Sequence, residues 1–236
     1  MSAVERNPPL VLIPGHAATA LSWRYQVESL GKDREIIIPD QHYLLSSIQD
    51  MARDIAARLP LQFDLAGWSM GGYIVFELHP LVRQRVRKLV FVSTMAGPET
   101  TEAGMRRADL LRSVETEGMS TVLLRHFDDN LAHPSRVDRA FKEAIVAESV
   151  RLGDTMLRNQ IKAIGARRDS RPSLKDITCE VLIIAGREDA ITPPECSEEM
   201  AALLPQSRLH ILDEVGHCSP WEKPQDVNRL MREFLG

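Results

Sequence analysis

Short, unbroken apolar runs recur along this chain, each followed by an amphipathic stretch, and few folds accommodate that alternation. The runs are Leu10–Ile13, Ile36–Ile38, Phe63–Ala66, Leu89–Val92 and Val181–Ala185, with Arg208–Leu212 less uniform. Apolar residues at every position, rather than at every second one, suit strands covered on both faces, as in a parallel sheet between helices. The stretches between them read as helices. Ile48, Met51, Ala52, Ile55, Ala56 and Leu59 share one helical face. Val227, Leu230, Met231 and Phe234 share another, after Pro224 in a first-turn position. Strand and helix in turn predict right-handed crossovers and an α/β fold, its mostly parallel sheet flanked by helices.

The rhythm stops between about Gly97 and Pro172. That stretch offers no strand and reads as helices over roughly Glu102–Glu117, Met119–Phe127, Ser135–Ser149 and Gly153–Ala166, with Gly104, Gly118, Gly153 and Gly165 as punctuation. It is far longer than one crossover needs, so it is expected to be a helical cap inserted after the fourth strand. The division is then a core of residues 1–96 and 173–236 and a cap of residues 97–172. A chain of 236 residues suits one such domain and buries a full core.

Composition excludes several classes of function. The net charge is -4 and there is no basic run, which speaks against a nucleic-acid partner. No apolar run is long enough to cross a membrane, and Met1 to Pro9 lacks the apolar centre of a signal peptide. The three cysteines, Cys179, Cys196 and Cys218, are odd in number and match no zinc or CxxC spacing. They read as free thiols in a reducing compartment, which points to the cytoplasm. The histidines and carboxylates form no metal-type cluster, so no metal is expected. Oligomeric state has no signature here.

The strongest local signal is Gly67-Trp68-Ser69-Met70-Gly71-Gly72, a GxSxG pattern with the apolar run Phe63–Ala66 before it and helical Tyr73–Leu78 after it. Small residues two before and two after the serine let strand and helix pass closely. The turn leaves the hydroxyl exposed at the strand's end, near the positive end of the helix. A serine hydroxyl needs a base. Of the seven histidines, His217 stands apart, in Glu214-Val215-Gly216-His217 between the last strand and the last helix. His210 lies within the strand, His79 in the helix after the serine, and His126 and His133 in the cap. The base needs an acid to orient it. Asp189 follows the strand Val181–Ala185, with Asp213 and Glu214 as fallbacks, and the order Ser, Asp, His is the one such a fold requires.

An oxyanion needs two N–H donors. One candidate is Met70, next to the nucleophile. The other is His16, or alternatively Ala17, in the loop after the first strand. Losing one such donor costs roughly 3 kcal/mol in the transition state. Leu21, Trp23, Trp68, Met95 and Trp221 are candidates for the substrate pocket, and their apolar character suggests a neutral or acyl-rich ester rather than a highly charged one.

At this point the sequence resembles the α/β-hydrolase superfamily, and within it the compact bacterial carboxylesterases and lactonases. The resemblance covers nearly the whole chain. It rests on Leu10–Gly15, Ala66–Gly72, Gly186-Arg187-Glu188-Asp189 with Thr192-Pro193-Pro194, and Gly216-His217. It implies the α/β-hydrolase fold with a helical cap, hydrolysis of an ester, thioester or lactone of a small molecule, and no cofactor. There are departures. Pro14 stands where the family has a histidine before Gly15, and Pro39-Asp40-Gln41-His42-Tyr43 replaces a longer loop, which predicts a site more open on that side. The leading antiparallel strands of larger members are not expected. Two rivals remain: a lyase or carbon–carbon bond hydrolase using the same side chains, for which Arg125, Arg158 and Arg167 of the cap are the candidate cations, and a non-enzymatic small-ligand binder. A dehalogenase is excluded, because it needs a carboxylate at position 69.

Overall fold

The computed structural model describes residues 7–236; the first six residues of the segment read for a signal peptide lie outside them. The apolar runs form six strands: β1 (Leu10–Ile13), β2 (Ile36–Ile37), β3 (Phe63–Trp68), β4 (Val86–Val92), β5 (Glu180–Gly186) and β6 (Ser207–Leu212). All pair in parallel, in the order β2-β1-β3-β4-β5-β6. The chain steps outward from β1 to β2, then returns to the other side of β1 as β3. The sheet direction therefore reverses beside β1, where a crevice opens at the strands' C-terminal ends. The edge strands account for the irregular runs. β2 keeps only two residues before Pro39, and β6 alternates between partly buried and exposed positions because one edge lacks a neighbour.

Successive residues point to opposite faces and build two cores. Leu10, Leu12, Ala66, Trp68, Val90, Val92, Leu182 and Ile184 join one. It is covered by α1 (Arg24–Leu30), the short α9 (Ser219–Glu222) and α10 (Pro224–Leu235). Val11, Ile13, Leu65, Leu89, Phe91, Val181 and Ile183 join the other. It is covered by α2 (Ile48–Ala56), α3 (Met70–Val82) and α8 (Pro194–Leu203). At the end of the sheet remote from the crevice, Asp64 of β3 is fully buried. It accepts from Arg34 Nη1 at 2.8 Å and from Arg87 Nε at 2.9 Å.

Between β4 and β5 stand four helices: α4 (Thr101–Glu117), α5 (Met119–Asp129), α6 (Arg139–Leu152) and α7 (Asp154–Gly165). Gly118 and Gly153 separate pairs of them with φ of 85° and 83°, values that side chains other than glycine avoid. Gly104 does not punctuate; it lies in the first turn of α4, whose cap is Thr100. The third helix begins at Arg139 rather than near Ser135. Pro134–Arg136 form a single tight turn, and the Asp138 side chain accepts from Ala140 N at 3.0 Å to start the helix.

Candidate active site

The site is built where three strands end. Ser69 follows β3 directly and caps α3 with φ 53° and ψ −117°, a left-handed conformation costly for serine. Neighbouring groups hold it there. Ser69 N–H donates to Val92 O at 2.9 Å, and Ser69 O accepts from Thr94 Oγ1 at 2.8 Å. The glycines permit the contact of strand and helix. A Cβ on Gly71 would stand 2.2 Å from Ile13 O, and one on Gly67 2.5 Å from Gly71 O.

The Ser69 hydroxyl lies 2.8 Å from His217 Nε2, and His217 Nδ1 lies 2.8 Å from Asp189 Oδ2. Asp189 is 3% exposed. Its Oδ1 accepts the N–H groups of Ile191 and Thr192, both at 2.9 Å, and its Oδ2 also accepts Thr192 Oγ1 at 2.8 Å. Burial opposes its charge, but His217 and the Thr192 hydrogen bonds outweigh burial and keep its pKa below the usual value. With a carboxylate on Nδ1, the imidazole carries its proton there and leaves Nε2 free to accept from Ser69.

The loop bearing His217 is fastened from several sides. His217 N–H donates to Asn130 O at 2.8 Å, and His217 O accepts from Trp68 Nε1 at 3.0 Å. Glu222, 7% exposed, accepts from Gly216 N at 2.9 Å and Ala132 N at 2.7 Å, joining this loop to the segment after α5. Asp213 and Glu214, the fallback acids, point elsewhere: both are exposed and pair with Arg187 and Arg136.

Of the proposed oxyanion donors, Met70 N–H and His16 N–H donate to nothing among the described residues. Ala17 N–H is occupied by Gln160 Oε1 at 2.9 Å, and Ala17 O accepts from Ser149 Oγ at 2.7 Å. The loop after β1, with Ala17 at φ 51°, is therefore held by side chains of α6 and α7.

A cavity of about 710 Å³ lies over Ser69 and His217. Of the pocket candidates, Trp68 and Met95 line it, but Leu21, Trp23 and Trp221 do not. Trp23 and Trp221 are buried, with Trp221 packed on Trp68, Phe127 and Phe141 and its Nε1 donating to Ser22 O at 2.8 Å; Leu21 packs against the same core. Large apolar surfaces were drawn under the site rather than into it. The wall is also less apolar than expected, because Glu99, Arg107, Arg167 and His126 contribute to it. Arg125 and Arg158 are exposed ion-pair partners of Glu117 and Glu115. In the short loop after β2, His42 and Tyr43 are buried, and Leu44 O accepts from Asn159 Nδ2 of α7 at 2.7 Å. Asn130, Gln160 and Glu222 went unrecognised in the sequence, and Thr192 entered only as part of a family motif, without its bonds to Asp189. Only Thr192 has a local signal, as a hydroxyl three residues after an aspartate.

Among the described residues no group of three or more metal-ligating side chains converges, and no helix is long and apolar enough to cross a membrane. The chain is 29% identical to a pimeloyl-[acyl-carrier protein] methyl ester esterase of Nitrosomonas europaea, covering 90% of this chain and 89% of the relative. It is 28% identical to a 2-hydroxy-6-oxo-2,4-heptadienoate hydrolase of Pseudomonas putida, covering 98% and 90%. A solved thermophilic esterase from Thermogutta terrifontis, with malate bound, superposes with a TM-score of 0.80 at 26% identity, covering 97% of this chain and 89% of that one. The profile of the alpha/beta hydrolase family matches residues 10–230, and with its parallel sheet and strand-to-helix serine turn the chain belongs to that family.

Proposed function

We propose that this protein is a serine hydrolase that cleaves a carboxylic ester of a small molecule, with Ser69 as nucleophile, His217 as base and Asp189 as the acid that orients it. The observation that carries this reading is the unbroken hydrogen-bonded chain from the Ser69 hydroxyl through His217 to Asp189, with two 2.8 Å contacts. The esterase relatives support the substrate class. Ser69 Oγ attacks the carbonyl carbon while its proton passes to His217 Nε2. The oxyanion is held by Met70 and His16 N–H, both without another acceptor among the described residues. The ester bond breaks, and His217 returns the proton to the leaving alkoxide. Water then attacks the acyl-enzyme, giving its proton to His217, and the carboxylic acid departs as the proton returns to Ser69. Helices α4–α7 act as a cap that walls the cavity, and the three cysteines suit a reducing, cytoplasmic setting.

The Pseudomonas putida relative favours a second reading, hydrolysis of a carbon–carbon bond beside a ketone, with the same three side chains. A screen of short-chain esters and lactones beside a vinylogous diketone separates the two, with Ser69→Ala as control. Ester turnover lost in Ser69→Ala, together with stoichiometric labelling of Ser69 by a fluorophosphonate, is the expected result. Unchanged ester hydrolysis in Ser69→Ala overturns the assignment.

A further inference from the structure

The cavity wall holds an excess of positive charge. Glu99 accepts from both Arg107 Nη1 and Arg167 Nη1. Arg167 is otherwise occupied: it donates to Gly97 O at 3.1 Å and Ile164 O at 2.9 Å, and its guanidinium lies 4.5 Å from the centre of the Tyr73 ring. Arg107 is different. Its side chain is 18% exposed, yet its Nε and Nη2 donate to nothing among the described residues. Two guanidiniums therefore face one carboxylate in a sheltered place. The other acids that line the cavity do not cancel this excess. Asp109 is held by Arg112, and both lie out in solvent, while Asp129 is exposed at the rim.

His126 lines the same cavity. Asn130 Nδ2 stands 3.4 Å from His126 Nδ1 and also donates to His126 O at 2.5 Å. An amide nitrogen only donates, so Nδ1 accepts and the imidazole proton sits on Nε2. Burial lowers the His126 pKa to about 4, which keeps this ring neutral at ordinary pH. Its Nε2–H has no acceptor among the described residues. Asn130 also accepts the backbone N–H of His217, so His126 hangs from the segment that anchors the proposed base. The ring of His16, beside Ser69, stands edge-on to it at 6.2 Å.

We propose that Arg107 and His126 form a carboxylate-binding subsite in this cavity, so that the substrate is an ester bearing a second, negatively charged group. This rests on the ester-hydrolase reading and names its substrate class. A carboxylate there accepts the fork of Arg107 and the Nε2–H of His126, strong hydrogen bonds in a site partly screened from water. A neutral ester leaves those donors unmet.

The test compares monomethyl esters of linear dicarboxylic acids, over a series of chain lengths, with methyl esters of the matching monocarboxylic acids. The wild-type protein is expected to favour the charged series. In Arg107→Met the ratio of kcat/KM for charged over neutral ester falls by about 10- to 100-fold, chiefly through KM. Arg107→Lys, which keeps the charge without the fork, falls less, and His126→Phe shifts the ratio the same way. Arg167 still holds Glu99 in these variants. An unchanged ratio, or a wild type that prefers neutral esters, overturns the subsite while leaving the ester reading in place. Binding is read without turnover by the thermal shift that glutarate gives to Ser69→Ala. A shift that disappears on adding Arg107→Met supports the subsite even if no ester is cleaved, and a shift equal in both proteins, or no shift, refutes it.

Discussion

Asp189 shows how one side chain is prepared for its place. A buried carboxylate is costly unless its lone pairs are met, and here Ile191, Thr192 and His217 supply four hydrogen bonds to it. Asp189→Asn keeps the shape but offers His217 an amide that can donate, which favours the tautomer with the proton on Nε2. That ring cannot accept from Ser69. On the proposed mechanism kcat falls by about 10³- to 10⁴-fold with little change in KM, as read by steady-state kinetics. A silent Asp189→Asn would remove the acid from the mechanism. All three positions were legible because each follows a run that reads as a strand. Arg107 and His126 were not legible as neighbours of Ser69, because nothing in a helical sequence states which face a distant loop will meet.

At the level of elements, the sharpest requirement is the crossing of α3 over β1. The Gly71 Cα faces the Ile13 carbonyl so closely that a Cβ would lie 2.2 Å from it. Backbone stands on both sides, so Gly71→Ala has to push α3 off the sheet. The expected loss is about 1–3 kcal/mol, seen as a lower urea midpoint. The same shift moves Met70 N–H relative to His16 N–H, so kcat falls as well. A Gly71→Ala protein of wild-type stability and rate would mean that this crossing is not tight. The GxSxG pattern announced the crossing in advance. The anchoring of the loop after β1 was not announced, since Gln160 and Ser149 read as ordinary helix residues until α6 and α7 pack against Ala17.

Across the whole molecule, burial of neutral histidines ties stability to pH. His42 is fully buried with neither ring nitrogen bonded among the described residues, and burial outweighs Asp54 and Asp40 to lower its pKa from 6.5 to about 4. Above pH 6.5 neither folded nor unfolded chain is protonated there. As pH falls from 6.5 towards 4 the unfolded chain takes up the proton first, so stability drops, by at most about 1.4 kcal/mol per pH unit for one such group. His126 and His16, also lowered mainly by burial, act with the same sign. Urea unfolding between pH 7 and about 4.5 is expected to show this loss, with a shallower slope in His42→Leu; an equal slope in both proteins would rule out His42 as a contributor. By itself the sequence determined the parallel sheet, the serine turn and the order of Ser69, Asp189 and His217, because strand periodicity and turn chemistry act over neighbouring residues. Only the tertiary structure decided that Trp23 and Trp221 pack beneath the site and that Arg107, His126 and Glu222 converge around it. Those outcomes depend on which helix face meets which loop across long separations, and packing of the whole chain selects among faces that local patterns leave equivalent.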